Sequence, residues 1–497
     1  MSLFADLLFE ARVVAQSLAD LAMGPHVRLG VTGLSRSGKT VFITALIEHL
    51  TRAASPALRG RKNLLPVLRV HAEGRLTGGR LEPQPDDAVP RFAYEDYLAA
   101  LHGPDHAIEA RHWPSSTRQI SELRIRLDFQ RKNGQSQSLA IDIVDYPGEW
   151  LLDLPLLAKS YAQWSRETLE SSAMAIRAPL AVNWRGFTVG VDPKMSAAEE
   201  TARRAAELFT DYLRACRADD YAFSVLPPGR FLMPGDLAGS PALTFAPLAV
   251  EEGVSCASDS LAAMMERRYE AYKAHVVKPF FRDHFARLDR QIVLVDTLAA
   301  LNAGPAAVRD LETAMTDVLM AFRAGRASLL SALFRPKIDR ILFAATKADH
   351  LHHTSHDRLE AILRHLTARA INRAEEVGAK IDVIALAAVR ATREAKVGGR
   401  GEPAFEAVIG TPLDGERIGD ELFDGKSEAA IFPGELPSDP KAVFRGDVLA
   451  PRPDEIDYRF VRFRPPIATL SEDGTPLPLP HIRLDRALEF LLGDRLT

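Results

Sequence analysis

A phosphate-binding loop is the clearest chemical feature of the sequence. Residues 33–40 read Gly-Leu-Ser-Arg-Ser-Gly-Lys-Thr, which matches the pattern Gly-x4-Gly-Lys-Ser/Thr. Its glycines let the backbone wrap a diphosphate, so that consecutive N–H groups and the start of the next helix point at the anion. The apolar run 26–32 precedes the loop as a β-strand should, and 41–50 follows it with a helical pattern. The sequence therefore predicts a site for a nucleoside triphosphate.

The residue types within this loop predict separate roles. Lys39 is expected to reach the β and γ phosphates, and the hydroxyl of Thr40 is expected to ligate Mg²⁺. The remaining predicted nucleotide contacts of the loop are Ser35, Arg36, Ser37, Gly38 and Val41.

A second motif, far along the chain, predicts which base is bound. The apolar run 340–345 leads into Thr346-Lys347-Ala348-Asp349, which resembles the Asn/Thr-Lys-x-Asp guanine motif of GTPases. A carboxylate suits guanine because it accepts from both N1–H and the exocyclic amino group, and charge-assisted bonds of this kind are strong. By this resemblance Asp349 reads the base of GTP or GDP, while the stem of Lys347 stacks on its ring and ties back to the P-loop. Alone, the pattern is also that of an ordinary strand-to-helix turn.

A third motif predicts the Mg²⁺ carboxylate and a switch. The apolar strand 139–145 closes on Asp145-Tyr-Pro-Gly148. Asp145 is expected to hold Mg²⁺ through its water shell, and the N–H of Gly148 to sense the γ-phosphate. An alternating run and an Asn-Gly turn come before it, so 122–145 is predicted to be a β-hairpin.

A competing carboxylate lies at Asp296, which ends the apolar run 291–295 and also resembles a Walker B strand. If Asp296 were the Mg²⁺ carboxylate, the protein would be closer to an ATPase or a nucleotide kinase. We favour Asp145, because Gly148 follows it at switch spacing and because a Ras-like strand order needs one more buried strand before Thr346.

The apolar run 380–388 predicts another strand, whose end is similar to the Ser-Ala motif that contacts guanine O6 through its backbone. Ala387 and Ala388 are the candidates. The alternative is a strand that simply ends in small residues.

The catalytic residues are predicted less directly. Thr117, just before the hairpin, is placed where a switch I threonine would complete the Mg²⁺ shell, with Ser116 as the second candidate and a capping role as the alternative. Glu149 follows Asp-x-x-Gly where many GTPases have Gln, so it either orients the attacking water or is a structural loop residue. Lys39, Thr117 and Glu149 are thus the predicted catalytic residues.

An arginine finger cannot be assigned from the sequence. The nearest candidates are Arg36, Arg111 and Arg118, and solvated loop arginines are the ordinary interpretation. Since such an arginine is worth ~10³ to 10⁵ in rate, slow GTP hydrolysis is expected.

Together these motifs resemble the P-loop GTPases, and the whole arrangement resembles the YcjX-like family. The narrower resemblance also rests on His-Trp-Pro-Ser-Ser-Thr at 112–117, Asp-Tyr-Pro-Gly-Glu-Trp at 145–150 and Pro-His-Ile-Arg-Leu-Asp-Arg at 480–486, and it covers essentially the whole chain. It implies an α/β, Ras-like P-loop fold with a mixed, mostly parallel sheet. It also implies a link to bacterial stress responses, including the phage-shock response to envelope damage.

Length and motif spacing predict several parts, because 497 residues exceed what one core usually organises. The predicted parts are 1–150 and 290–397 for the GTPase domain, 151–289 for a helical insertion after switch II, 398–480 for a β-rich lobe, and 481–497 for a terminal helix on the GTPase domain. Within the first part, 62–70 is predicted as a strand, 74–90 as a loop and 91–101 as a helix. An insertion attached at Gly148 would receive any change that hydrolysis causes there.

Composition excludes several function classes. The net charge is −4 with 26% charged residues, which gives no basic signal for nucleic acid. Cys216 and Cys256 have neither metal spacing nor a disulfide framework, as in a reducing compartment. The sequence shows no signal pattern and no apolar run long enough for a bilayer, which predicts a cytoplasmic protein.

The remaining expectations concern partners. Residues 3–22 have helical apolar spacing but an acidic polar face, which favours a helix docked on the domain over peripheral contact with the inner membrane. We expect a slow GTPase switch that acts on a protein effector. The alternatives are a GTP-binding scaffold without useful catalysis and an ATPase that uses Asp296.

Overall fold

The structure is a computed structural model. It describes residues 25–497 except 35, 59–60, 62, 85, 104–107, 116, 118, 254–255, 285–286, 322–337, 377, 398–404, 446–457, 472–473 and 475–476. The predicted helix 3–22 lies outside the described residues, as do Ser35, Ser116 and Arg118.

A seven-stranded mixed sheet forms the centre of the protein, in the order β2-β3-β4-β1-β5-β6-β7. Its strands are β1 (His26–Gly33), β2 (Leu76–Glu82), β3 (Ser121–Gln130), β4 (Ser136–Asp145), β5 (Arg290–Val295), β6 (Arg340–Ala345) and β7 (Lys380–Ala385). The pairs β2–β3 and β3–β4 are antiparallel, and the other pairs are parallel. The predicted α/β fold with a mostly parallel sheet is confirmed.

Helices α1 (Lys39–Ala53), α2 (Arg69–Ala72) and α3 (Tyr94–His102) lie before the hairpin. The segment after β4 contains α4 (Tyr161–Ser172), α5 (Val182–Val189), α6 (Glu199–Arg217), α7 (Gly229–Leu232), α8 (Leu261–Tyr272) and α9 (Lys278–Asp283). A π-turn at Lys273–Val277 joins the last two. The later helices are α10 (Thr297–Ala303), α11 (Pro305–Ala321), α12 (His356–Leu366), α13 (Ala368–Glu376) and α14 (Leu484–Leu492).

The central strands are buried on both faces, which explains their nearly continuous apolar sequences. On one face, Ile292 and Leu294 of β5 belong to the core that α1 and α14 complete. On the other face, Val293 and Val295 belong to the core shared with the segment 146–318. That second core holds an aromatic cluster, in which the rings of Trp164 and Tyr269 stack with centroids 5.1 Å apart.

The edge of the sheet differs from the sequence prediction. Residues 76–82 form β2 where a loop was predicted, and the predicted strand at 62–70 is wrong, because α2 begins at Arg69. Strand β2 contains Gly78 and Gly79. Because glycine weakens a strand, residue propensities did not predict a strand here. Gly79 lies against α1, where a Cβ would be only 2.6 Å from the carbonyl oxygen of Leu50. Close packing on α1 therefore explains why a glycine stands there.

Three short antiparallel strands follow β7: β8 (Arg393–Val397), β9 (Phe405–Gly410) and β12 (Ala429–Ile431), in the order β12-β9-β8. A separate pair consists of β10 (Arg417–Ile418) and β11 (Glu421–Leu422). Within 458–463 the structure has no strand, and Phe463 makes a single bridge, to Pro412. The last of the described helices, α14, lies within the segment 481–497 that was predicted to hold a terminal helix.

Candidate functional site

The P-loop connects the end of β1 to the start of α1. Arg36 and Gly38 adopt left-handed backbone conformations, with φ of 63° and 83°, which turn the chain sharply before Lys39. No acidic residue stands in the first turn of α1, so the partial positive charge of the helix start is left for an anion. Ser37 is buried, and its hydroxyl has no hydrogen-bond partner among the described residues.

Three oxygen-bearing side chains predicted as Mg²⁺ ligands meet beside this loop. The hydroxyl of Thr117 donates to Asp145 Oδ2 over 2.6 Å and lies 3.3 Å from the hydroxyl of Thr40. All three residues are buried. They meet because Val31 pairs with Asp145 in the sheet, which places the ends of β1 and β4 side by side.

The donor set fits Mg²⁺. Oxygen ligands are those this ion prefers, and the buried Oδ1 of Asp145 has no protein partner in the described part of the chain. Burial raises the pKa of Asp145, while the nearby Lys39 opposes that shift. A carboxylate in this position is stabilised by a bound cation, because an unpaired buried charge is costly.

The predicted sensor glycine packs directly on the P-loop. Gly148 begins a 3₁₀ helix, Gly148–Ala158, and a Cβ at Gly148 would overlap the carbonyl oxygen of Gly33. The loop after Asp145 is thus in contact with the loop expected to hold the phosphates.

Glu149 turns toward the helical segment that follows. Its side chain is buried, and Arg217 Nη1 lies 3.4 Å from Glu149 Oε1. Arg217 is the last residue of α6. Gly229 also contacts this residue, since a Cβ there would overlap the carbonyl oxygen of Glu149. Sequence reasoning missed Arg217, because nothing local marks a residue 68 positions away as the partner of Glu149.

The arginines considered from the sequence have other partners. Arg36 forms an ion pair with Asp219. Its pKa is lowered by burial first and then by Arg217 and Arg462, so three cations approach one another beside the P-loop. Arg111 is buried and donates to the carbonyl of Pro465, which is a structural role.

The predicted base-reading residues meet at the ends of β6 and β7. Asp349 is buried, and its Oδ2 accepts the N–H of Ala391 over 2.8 Å. Thr392 donates its hydroxyl to the carbonyl of Asp349. The first bond orients the Asp349 side chain, and the second holds its backbone. Thr346 lies just upstream, where its N–H donates to the carbonyl of Val295.

The two alanines at the end of β7 differ in their backbone bonding. The N–H of Ala387 donates to the carbonyl of Ile482. The sequence did not predict this partner. Ala388 is partly exposed. Of the two, Ala388 is the more exposed.

Asp296 has structural partners for both carboxylate oxygens. Lys347 donates its ammonium to Oδ2, and the N–H of Ala299 donates to Oδ1 over 3.1 Å, which caps α10. Lys347 itself has φ of 60°. This bonding favours the interpretation of Asp296 as a strand-end residue over that of a Mg²⁺ carboxylate.

Among the helices in the described residues, none combines the length and the apolar character needed to cross a bilayer.

The chain is similar to proteins of one described family. A family model described as "YcjX-like family, DUF463" matches residues 27–496. A relative from Escherichia coli (strain K12), named "Ras-like GTPase YcjX", is 38% identical over 494 residues, which cover 97% of this chain and 98% of the relative. A protein of the same name from Shewanella oneidensis is 35% identical over 499 residues and 97% of each chain.

Proposed function

Because this chain belongs to the YcjX-like family, we propose that it binds GTP with Mg²⁺ and hydrolyses it slowly, as a molecular switch. The observation that carries the proposal is the meeting of Thr40, Thr117 and Asp145 beside a complete P-loop. The relatives' name, Ras-like GTPase, supports the same nucleotide.

In this proposal the P-loop holds the phosphates and the buried oxygens hold the cation. Thr40, Thr117 and Asp145 would bind Mg²⁺, whose charge would neutralise that on the β and γ phosphates. Lys39 and the N–H groups of 36–41 would bind the same phosphates from the other side.

The base is proposed to lie at the ends of β6 and β7. Asp349 would accept from guanine N1–H and the exocyclic amino group, in an orientation that the N–H of Ala391 fixes. The stem of Lys347 would cover the ring, with its ammonium held by Asp296. Ala388, with Ala387 beside it, would offer backbone groups to O6.

Hydrolysis is proposed to use Glu149 to orient the attacking water. Arg217 then acts as a positioning residue, since its guanidinium lies 3.4 Å from the Glu149 carboxylate. No glutamine follows Asp-x-x-Gly in this sequence. Slow turnover is expected because no arginine finger can be assigned.

The switch is proposed to operate through the 3₁₀ helix that begins at Gly148. Asp153 of that helix accepts the hydroxyl of Tyr272 over 2.5 Å and the N–H of Gly229 over 2.6 Å. Any movement of Gly148 on loss of the γ-phosphate would therefore reach the helices α7 and α8. We propose a protein effector there, in a bacterial stress response of the cytoplasm or the inner membrane surface, as the family resemblance implies.

The proposal is tested by calorimetry with GTP, GDP and ATP, each with Mg²⁺. We expect the wild type to prefer guanine nucleotides and Asp349→Ala to lose that preference by about 10- to 100-fold, the worth of a charge-assisted hydrogen bond. Asp357→Ala is the matched control, because its carboxylate is 88% exposed and pairs with Arg483. ATP bound as tightly as GTP, with no effect of Asp349→Ala, would contradict the proposal and return Asp296 to consideration.

A scaffold without useful catalysis is the second candidate, and it is favoured by the glutamate that stands at position 149 where many GTPases have glutamine. Single-turnover hydrolysis separates the two. A chemical step faster than release of GTP supports the switch, and a slower one supports the scaffold.

A further inference from the structure

A cluster of two histidines and two glutamates lies a few residues beyond the predicted base-reading loop. His352 and His353 follow Asp349 at the start of the turn before α12, Glu394 lies on β8, and Glu406 lies on β9. The ligand atoms of the two histidines and Glu394 all lie within 4.8 Å of one another. Three separate stretches of chain therefore converge on one point.

We propose that His352, His353 and Glu394 form a site for a zinc-like transition-metal ion, bound through His352 Nε2, His353 Nδ1 and Glu394 Oε2, with the fourth position open to solvent. This site is distinct from the nucleotide site and would fasten the loop after Asp349 to strand β8.

The spacing of the donor atoms fits such an ion. Glu394 Oε2 lies 2.6 Å from His353 Nδ1 and 3.8 Å from His352 Nε2. Glu406 Oε2 lies 3.4 Å from the opposite ring nitrogen, His352 Nδ1, so it orients that imidazole as an outer-shell partner. Zinc holds nitrogen and oxygen ligands at ~2.0–2.2 Å in a tetrahedron, so its ligand atoms stand roughly 3.4 Å apart. The measured separations lie on both sides of this value, and small side-chain rotations would equalise them.

The ligand types select the class of ion. Two imidazoles with a carboxylate suit zinc and its neighbours in the first transition row, whereas Mg²⁺ and Ca²⁺ prefer oxygen ligands alone. A hydrogen bond between His353 and Glu394 accounts for their 2.6 Å contact. It does not require a second imidazole nearby, yet the ring centroids of His352 and His353 lie 4.3 Å apart.

Surrounding contacts orient the ligands, as outer-shell partners do in metal sites. Arg390 Nη2 lies 3.4 Å from Glu394 Oε1, the oxygen that does not face the histidines. Thr354 donates its hydroxyl to Glu406. The side chain of His352 is buried, while that of His353 is 63% exposed, which leaves a path for the ion to enter.

The proposed metal site would restrict the position of the loop that carries Asp349. Thr392, two residues before Glu394, donates to the carbonyl of Asp349, and His352 is three residues after Asp349. A metal bridging Glu394 and His352 would thus close a ring of chain around Asp349. It would stabilise the folded state by binding that state alone.

The test is Zn²⁺ binding to the full chain, measured by competition with a chromophoric chelator in excess Mg²⁺, which occupies oxygen sites. We expect one Zn²⁺ per chain in the wild type and a loss of more than about tenfold in affinity in His353→Ala, since even outer-shell partners cost that much. His275→Ala is the control, because that histidine is exposed on the π-turn. His353 is chosen because its exposed ring contributes little to folding.

A second readout keeps the test independent of folding defects. Zn²⁺ should raise the thermal midpoint of the wild type and of His275→Ala, and should leave those of His353→Ala and Glu394→Gln unchanged. Equal affinity in His353→Ala and wild type, or no stoichiometric Zn²⁺ in the wild type, would overturn the proposal.

Discussion

Gly148 lies directly against Gly33, so closely that a Cβ at Gly148 would overlap the Gly33 carbonyl oxygen and stand 3.1 Å from the backbone nitrogen of Leu34. Gly148 is not among the residues with positive φ, so space and not backbone conformation requires glycine here. The loop that is expected to sense the γ-phosphate and the loop that is expected to hold it are in contact without any side chain between them.

Gly148→Ala should push these two loops apart. We expect GTP affinity to fall by about tenfold or more, with GDP affected less, because only GTP presents a γ-phosphate to this N–H. Calorimetry with both nucleotides measures the ratio. Gly186→Ala on α5 is the control, since a Cβ there meets nothing within 4 Å. Equal losses for GTP and GDP would contradict the sensor role.

Asp145→Asn should abolish the strengthening of GTP binding by Mg²⁺, because an amide is a poor ligand for this ion. Free of nucleotide, the variant should be at least as stable as the wild type, since burial raises the pKa of Asp145 and its charge is a cost to folding. Titration of GTP with and without Mg²⁺, and urea unfolding, measure the two effects. Asp296→Asn is the paired variant. Loss of Mg²⁺ dependence in Asp296→Asn, and not in Asp145→Asn, would show that Asp296 is the Mg²⁺ carboxylate.

Glu149→Ala and Arg217→Ala should both slow hydrolysis of bound GTP, by about tenfold or more, with little change in GTP affinity. The reason is that one residue orients water and the other holds its carboxylate. Single-turnover rates are the measurement. Arg214→Ala is the control, because Arg214 lies on the same helix, is 60% exposed and pairs with Asp211. Unchanged rates in both variants would favour a scaffold.

Asp153→Asn should remove a pH dependence of stability. Burial raises the pKa of Asp153 to about 6 from the ordinary 3.8. The folded state therefore binds the proton more tightly than the unfolded state, so this residue's contribution to stability is fully present below about pH 4 and is lost as pH rises through 6. Relative to wild type, the variant's free energy of unfolding should rise across this window by roughly 1–3 kcal/mol.

Urea unfolding followed by tryptophan fluorescence measures that difference, since Trp164 and Trp184 lie buried in the same core as Asp153's helix. A constant offset between the two proteins from pH 4 to 6 would show that Asp153 does not titrate there.

Local pattern predicted the parts of the site that follow strand ends. The predicted hairpin 122–145 is confirmed, with Ser121 opposite Asp145 at its open end, because alternation and an Asn-Gly turn are short-range signals. The closeness of Asp145 to the P-loop follows from the parallel pairing of β1 and β4. The positions of these motif residues therefore follow from the strands and turns in which they lie.

What the sequence did not predict depends on contacts between distant segments. Strand β2 is specified by pairing with β3 and packing on α1, while its own glycines point away from a strand. Arg217 bonds to Glu149, which lies 68 positions away in the chain. Ala387 donates its N–H to Ile482, which lies 95 positions away. The histidine and glutamate cluster likewise spans 352–406 and has no spacing that a motif would record.

The position of helix α14 in the chain determines when the core that contains α1 can be completed during synthesis. Its residues Leu484, Leu488 and Leu491 are fully buried in the core that contains α1 and β1. Ribosomes add roughly 5–20 residues per second, so the P-loop emerges on the order of 20–90 seconds before the helix that completes this core. During that interval the nascent chain carries an uncovered apolar sheet face. We expect GTP to bind only after α14 has packed on this core, so nucleotide binding would report that the core is complete.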